Sequence, residues 1–272
     1  DRVSTDLTDL ARSGMIGFMV GHEQEYDHLV SVLARPMNPN ALLVGDPTIG
    51  KETIVTHLAF ALSKDRVPRE LFDRRLVSLS ISELAAASAV SSGSGAASGA
   101  GSLEAFAEKV FAEIVQAGNI ILYVPDFHEI ASGSGAYLSL ADTIMQMIKH
   151  DALPVIAAAT PREYAHALEP RSDIKGAFEV IHVKEIGADD AERILAHEAA
   201  IIEARTKITI SFAAIKTAVH VGAKYMRDKL LPASALELLR EGVRRAEMKE
   251  DAVLIPEHII EAAEAKTNAP IH

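Results

Sequence analysis

The run Ala41-Leu42-Leu43-Val44-Gly45-Asp46-Pro47-Thr48-Ile49-Gly50-Lys51-Glu52-Thr53 is the most informative part of the 272-residue chain. Its first four residues are an unbroken apolar stretch, as a strand buried on both faces requires. A helical pattern, Ile54 to Leu62, follows it. Two glycines five positions apart and a closing lysine give the spacing of a phosphate-binding loop in its strand–loop–helix setting. The glycines let backbone N–H groups turn inward around phosphate oxygens, and the helix N-terminus adds positive potential. Lys51 is expected to reach the β- and γ-phosphates of a nucleotide, ATP or ADP. One residue departs from the motif. The position after the lysine, where a Ser or Thr hydroxyl helps hold Mg2+, is Glu52. Two readings of Glu52 stand: a stabilising charge at the positive end of a helix dipole, or an anionic Mg2+ ligand in place of the hydroxyl. Thr53 lies about 100° further around the helix, turned from a metal at that place. The loop is suited to holding a nucleotide and poorly suited to cleaving it.

The rest of the composition narrows the setting. With 49% hydrophobic and 24% charged residues, the chain is globular and can bury a core in more than one domain. A net charge of −11 argues against a nucleic-acid partner, because affinity for phosphate backbones comes from clustered Lys and Arg. There is no cysteine, which excludes disulfides and thiolate chemistry and fits a reducing, cytoplasmic setting. No apolar run reaches the length of a membrane span, so no membrane contact is expected of this segment. The chain opens on Asp1 and closes on Thr267–His272, which reads as the start of a linker, so a piece of a longer protein is expected.

Apolar runs alternate with helical patterns through the first two thirds, the signature of a parallel sheet wrapped by helices. Strands are expected at Ala41–Val44, Arg75–Leu79, Asn119–Val124, Pro154–Ala159 and Glu179–Val183. Helices are expected at His22–Arg35, Lys51–Ser63, Leu103–Ala117 and Tyr137–His150. From Ala188 the pattern is helical alone: Ala188–Ala204, Ser211–Ala223, Pro232–Glu247 and Pro256–Lys266. This predicts an α/β nucleotide domain over residues 1–186 and a small all-α domain over 187–272. Ala85–Gly101, rich in Gly, Ser and Ala, predicts a flexible loop. A second Gly/Ser loop is expected at Ala131–Gly135.

Further motifs fall in a fixed order. Phe18-Met19-Val20-Gly21 precedes the loop. Val67-Pro68-Arg69-Glu70-Leu71, Arg74–Leu79, Asn119–Val124, Ala157-Ala158-Ala159-Thr160-Pro161-Arg162-Glu163-Tyr164 and Tyr225–Pro232 follow it. In that order and spacing, nearly the whole chain resembles the first ATPase module of Clp-type AAA+ protein unfoldases and disaggregases. The resemblance implies a three-layer αβα AAA+ domain with a parallel five-stranded sheet, then a helical lid. It also implies nucleotide held between the two domains and between subunits of a hexameric ring. Flanking domains of the same chain and protein substrates or a protease partner are the partners it implies. The nucleotide-binding residues it suggests are Phe18, Met19 and Val20 beside the base, with Asp46, Pro47, Thr48, Ile49, Gly50, Lys51, Glu52 and Thr53 around the phosphates.

Several working positions of that family are altered. Its Asp-Glu pair, metal ligand and water-polarising base, falls at Pro125 and Asp126. Asp126 is either a shortened catalytic base or a loop residue or helix cap. The polar residue that senses the γ-phosphate falls at Ala159 or Thr160, which leaves Thr160 as the candidate. The two arginine fingers fall in Ile174-Lys175-Gly176-Ala177-Phe178, where both arginines are gone; Arg171 and Lys175 are the nearby cations. The Lys that follows Leu-Pro-Asp in relatives is Ser234. The aromatic polypeptide-gripping loop is replaced by the Gly/Ser/Ala segment. Three readings follow: a nucleotide-binding, hydrolysis-impaired module that supports a ring; an active ATPase with a rearranged Mg2+ site; or a structural module with a vestigial site.

Overall fold

The computed structural model of the chain describes residues 4–91, 100–132, 144–146, 148, 153–226 and 229–271. These fall into two compact units. The first comprises residues up to Met19 and Glu23–Val183; the second comprises Val20–His22 and residues from Lys184 onward.

The first unit is a six-stranded sheet between layers of helices. Its strands are β1 (Ser4–Asp6), β2 (Ala41–Val44), β3 (Arg75–Leu79), β4 (Ile120–Val124), β5 (Val155–Ala159) and β6 (Glu179–His182). They lie in the order β1-β3-β4-β5-β2-β6. Five are parallel, three of them (β2, β4 and β5) continuous apolar runs, and β2 sits between β5 and β6 with Val44 level with Ala159 and His182. The sixth, β1, is an antiparallel edge strand on β3 that the sequence pattern does not show. Three residues are too few for an alternation, and β1 is held instead by specific bonds. Asp6 accepts from Arg75 and caps the following helix α1 (Leu7–Arg12) through the N–H groups of Thr8 and Asp9.

The sheet is buried on both faces. One face presents Leu42, Val44, Leu122, Val124, Ala157 and Ala159 to a core shared with α4 (Ile81–Ser91) and α5 (Ala100–Ala117), through Leu84, Ala107 and Phe111. The alternate residues Leu43, Ile121 and Ile156 are equally buried. Helices α2 (Glu23–Leu33) and α3 (Lys51–Ser63), which pack against the strands together with α1, contribute Leu29, Val32 and Leu58, all with no exposed surface. Asn40, fully buried before β2, ties three strands' ends together. Its amide donates to Ala177 O (3.3 Å), its side-chain oxygen accepts from Val155 N (3.0 Å), and its carbonyl accepts from Glu179 N (2.9 Å).

Two expectations change here. Ala85–Ser91 and Ala100–Gly101 are helical, not loop, because an Ala-rich run keeps helix propensity despite its serines. The remainder of that segment, 92–99, lies outside the described residues. The expected loop Ala131–Gly135 begins inside helix α6 (Phe127–Ser132), and 133–135 are outside the description. Of the helix expected at Tyr137–His150, residues 144–146 and 148 are described and helical, with Ile144, Met145 and Ile148 in the core.

After β5 come a single helical turn α7 (Pro161–Glu163), a π-helical turn over Tyr164–Leu168 and α8 (Ser172–Ala177). The second unit packs α9 (Ala188–Arg205), α10 (Phe212–Tyr225), α11 (Ala233–Met248) and α12 (Pro256–Thr267) around one apolar core. Gly222 on α10 lets α11 approach closely: an added Cβ would stand 3.0 Å from Ala235 N. To these four helices the structure adds a two-stranded parallel ladder, β7 (Thr209–Ile210) with β8 (Val253–Leu254). Each strand is two residues long, below what periodicity can register. Among the described residues no helix is long and apolar enough to cross a membrane.

Candidate functional site

The loop between β2 and α3 has the backbone that close approach to an anion needs. Gly45 donates its N–H to Ala159 O (3.2 Å), and a Cβ there would meet Ile49 Cγ2 at 2.9 Å and Val183 O at 3.1 Å. Thr48 and Gly50 turn through φ values of 64° and 121°. Ile49 is buried and pins the middle of the loop to the core. Helix α3 starts at Lys51 and carries no side-chain cap at its N-terminus. The N–H groups of a helix's first turn have no intrahelical acceptor, so the donors of Lys51, Glu52 and Thr53 are available to a ligand. Pro47, Thr48, Gly50, Lys51, Glu52 and Thr53 line a cavity of about 370 Å3 at this point. Thr53, turned from the expected metal position, still forms part of this wall.

Lys51 Nζ folds back onto the loop and donates to Gly45 O (2.5 Å) and Asp46 O (2.9 Å). Burial lowers the pKa of its ammonium, while the carboxylates of Glu163, Asp46 and Glu52 act in the opposite direction. Glu52 is exposed in the first turn of α3. Burial, together with the charges of Glu52 and Asp126, raises the hydroxyl pKa of Tyr123 on β4 well above the ordinary phenol range. Tyr123 and Glu163 lie inside the quoted motifs but are not among the expected site residues. Glu163 could have been found from Thr160-Pro161-Arg162-Glu163, the spacing of a capping box; Tyr123 sits within an apolar strand and gives no signal.

Asp126 lies just past the end of β4, but its carboxylate is committed elsewhere. It accepts from Ser80 Oγ (3.1 Å) and from Ile81 N (3.2 and 3.1 Å to its two oxygens), which places it at the N-terminus of α4. Of the two readings of this residue, the geometry is that of a helix cap supplied from a neighbouring strand. Thr160 is likewise a cap. Its Oγ1 accepts from Glu163 N (3.3 Å) and Glu163 Oε2 accepts from Thr160 N (2.7 Å), a reciprocal box at the start of α7. Glu163 also pairs with His128 (3.4 Å). Gly176, at one arginine-finger position, is exposed with open space around it, and Ala177 at the other is buried. Arg171 pairs with Asp173 in a two-point contact (3.2 and 2.7 Å).

Phe18 is exposed, and the carbonyl of Gly17 just before it accepts from His57 Nδ1 (2.8 Å). Phe18 and Met19 belong to the first unit and Val20 to the second. Ser234 is fully buried in α11 against Gly222.

A Mg2+ ion with nucleotide needs a hydroxyl or carboxylate pair facing the phosphates. Pro125 stands at one expected donor position, and the Asp126 carboxylate beside it is engaged by Ser80 and Ile81. Among the described residues no group of three His, Asp or Glu side chains is arranged to hold a metal. At the two expected donor positions, after Lys51 and past the end of β4, stand Glu52 and Pro125, and this pair does not fit the expected Mg2+ site.

A parallel sheet with this strand order, a Gly-Lys loop leading into α3 and a helical second unit define a AAA+ module. Residues 187–269 match the AAA lid domain family. The ATP-dependent Clp protease ATP-binding subunit ClpC of Staphylococcus epidermidis is 30% identical over 251 residues, covering 92% of this chain and 30% of that protein; ClpC of Staphylococcus aureus (strain USA300) matches equally. The ADP complex of Saccharomyces cerevisiae Hsp104 superposes with a TM-score of 0.84 at 25% identity, over 98% of this chain and 45% of that one. Hsp104 with ATPγS and FITC casein gives 0.83 at 27%, over 98% and 46%. The chain is a Clp-type AAA+ module. It spans about a third of the length of the ClpC relatives and under half of Hsp104.

Proposed function

We propose that this module binds a nucleotide in the Gly45–Thr53 loop, hydrolyses it poorly, and supports a hexameric ring in which other modules do the work on protein substrates. The reading rests on one contrast. The loop keeps its backbone turns and its lysine, while the carboxylate where the base is expected is tied to the start of α4. Hydrogen-bond distance to the attacking water is demanding in phosphoryl transfer, and a carboxylate held by two donors of its own chain is not free to meet it. Asp46 to Thr53 surround the phosphates in this account, with Phe18, Met19 and Val20 beside the base. Relatives support nucleotide occupancy: Hsp104 has been seen with ADP and with ATPγS. The test is titration with a fluorescent mant-nucleotide alongside a phosphate-release assay. Saturable binding that disappears in Lys51→Ala, with no release above background, is expected. Absence of binding in the unaltered chain contradicts it.

A further inference from the structure

Resting on that reading of the loop, we propose that the site takes a nucleoside diphosphate, without Mg2+, in preference to a triphosphate. A β-phosphate finds what it needs in the uncapped first turn of α3 and in Lys51. A γ-phosphate adds further negative charge one phosphate beyond, and among the described residues lining the cavity Lys51 is the one cation. Glu52 stands in the first turn where a neutral hydroxyl would serve a metal. Pro125 offers no ligand, and Asp126 is anchored at 3.1 Å to both Ser80 Oγ and Ile81 N. The Thr160 hydroxyl is occupied in its box with Glu163, and Glu163 brings a second carboxylate toward Lys51.

Three carboxylates, Asp46, Glu52 and Glu163, thus act on one ammonium. Neutralising one added phosphate charge would exhaust that lysine. Like charges a few ångströms apart in a partly buried site repel strongly. A bridging Mg2+ would relieve that repulsion, but the donor set described above does not fit one. Arg162, the exposed cation near Thr160, lines a separate cavity with His128 and His166.

The experiment uses the 272-residue chain and mant-ADP as probe, displaced by unlabelled ADP or ATP, in EDTA and in Mg2+. In EDTA, ADP should displace the probe at about tenfold lower concentration than ATP. Adding Mg2+ should shift the ADP value less than about twofold. In Glu52→Thr the preference for ADP over ATP in EDTA should shrink, because one of the three carboxylates around Lys51 is gone. ATP competing as well as ADP in EDTA, or ADP binding only with Mg2+, overturns the selectivity and leaves the nucleotide site standing. If mant-ADP does not bind the unaltered chain at all, the underlying site falls as well.

Discussion

Asp126 shows how one side chain can change occupation while keeping its place. It lies just past a parallel strand at the position where a base is expected, yet two donors of the α4 N-terminus hold it. Removing a carboxylate cap costs roughly 1 kcal/mol. Asp126→Ala should therefore lower the free energy of unfolding in urea by about that amount while leaving mant-ADP affinity within twofold. An unchanged stability together with lost nucleotide turnover would return Asp126 to a catalytic role. Lys51 gives a second handle. Its folded pKa lies below the ordinary lysine value, so the unfolded chain holds that proton more tightly and stability rises as pH climbs through the interval between the two. A bound phosphate favours the charged ammonium, so nucleotide affinity should fall as pH rises through the same interval. Lys51→Arg, which stays charged, should flatten that profile; a profile equally steep in the arginine variant would show that another group titrates. The loop itself was readable from spacing alone. Asp126's partner was not, because Ser80 and Ile81 lie 46 and 45 residues earlier and nothing local announces the bond.

At the level of helices and strands, the loop depends on how α3 is seated. Gly17 approaches α3 so closely that an added Cβ would stand 2.5 Å from Phe60 Cβ, and its φ of 125° lies outside what other residues adopt readily. The His57 ring bonds to the Gly17 carbonyl from the same helix. Gly17→Ala combines a backbone strain with an overpacked contact and should cost roughly 2 kcal/mol, read as a lower Tm in thermal unfolding. A Tm within a degree of the unaltered chain would mean the preceding segment can move away freely. Of the five parallel strands, β2, β4 and β5 were readable as continuous apolar runs buried throughout, while β3 and β6, which carry Arg75, Ser78, Glu179 and His182, were readable from shorter apolar cores set between helical patterns. The ladder β7–β8 and the edge strand β1 were not, since two or three residues carry no period. The Ala85–Ser91 helix was misjudged for a different reason: glycine and serine further along coloured a window whose first half is mostly alanine.

Across the whole molecule, a net charge of −11 coexists with local cation clusters. In the second unit Glu237 on α11 pairs with Lys229 at 2.5 Å and with Lys266 of α12. Those lysines hold the Glu237 carboxyl below its ordinary value. A depressed acid contributes stability above its unfolded pKa and loses it as pH falls through the folded one. Glu237→Gln should therefore lower stability at neutral pH by about 0.5 kcal/mol, a figure kept small by solvent screening, and the difference should vanish in acid. A gap that persists at low pH would assign the effect to packing. A Clp-type AAA+ module that holds nucleotide without splitting it has a direct signature. Single-turnover phosphate release from γ-labelled ATP, at protein concentrations that saturate the site with and without Mg2+, reads it. No release above that of the Lys51→Ala variant is predicted. Mg2+-stimulated release that disappears in Lys51→Ala and in Asp126→Asn would contradict it.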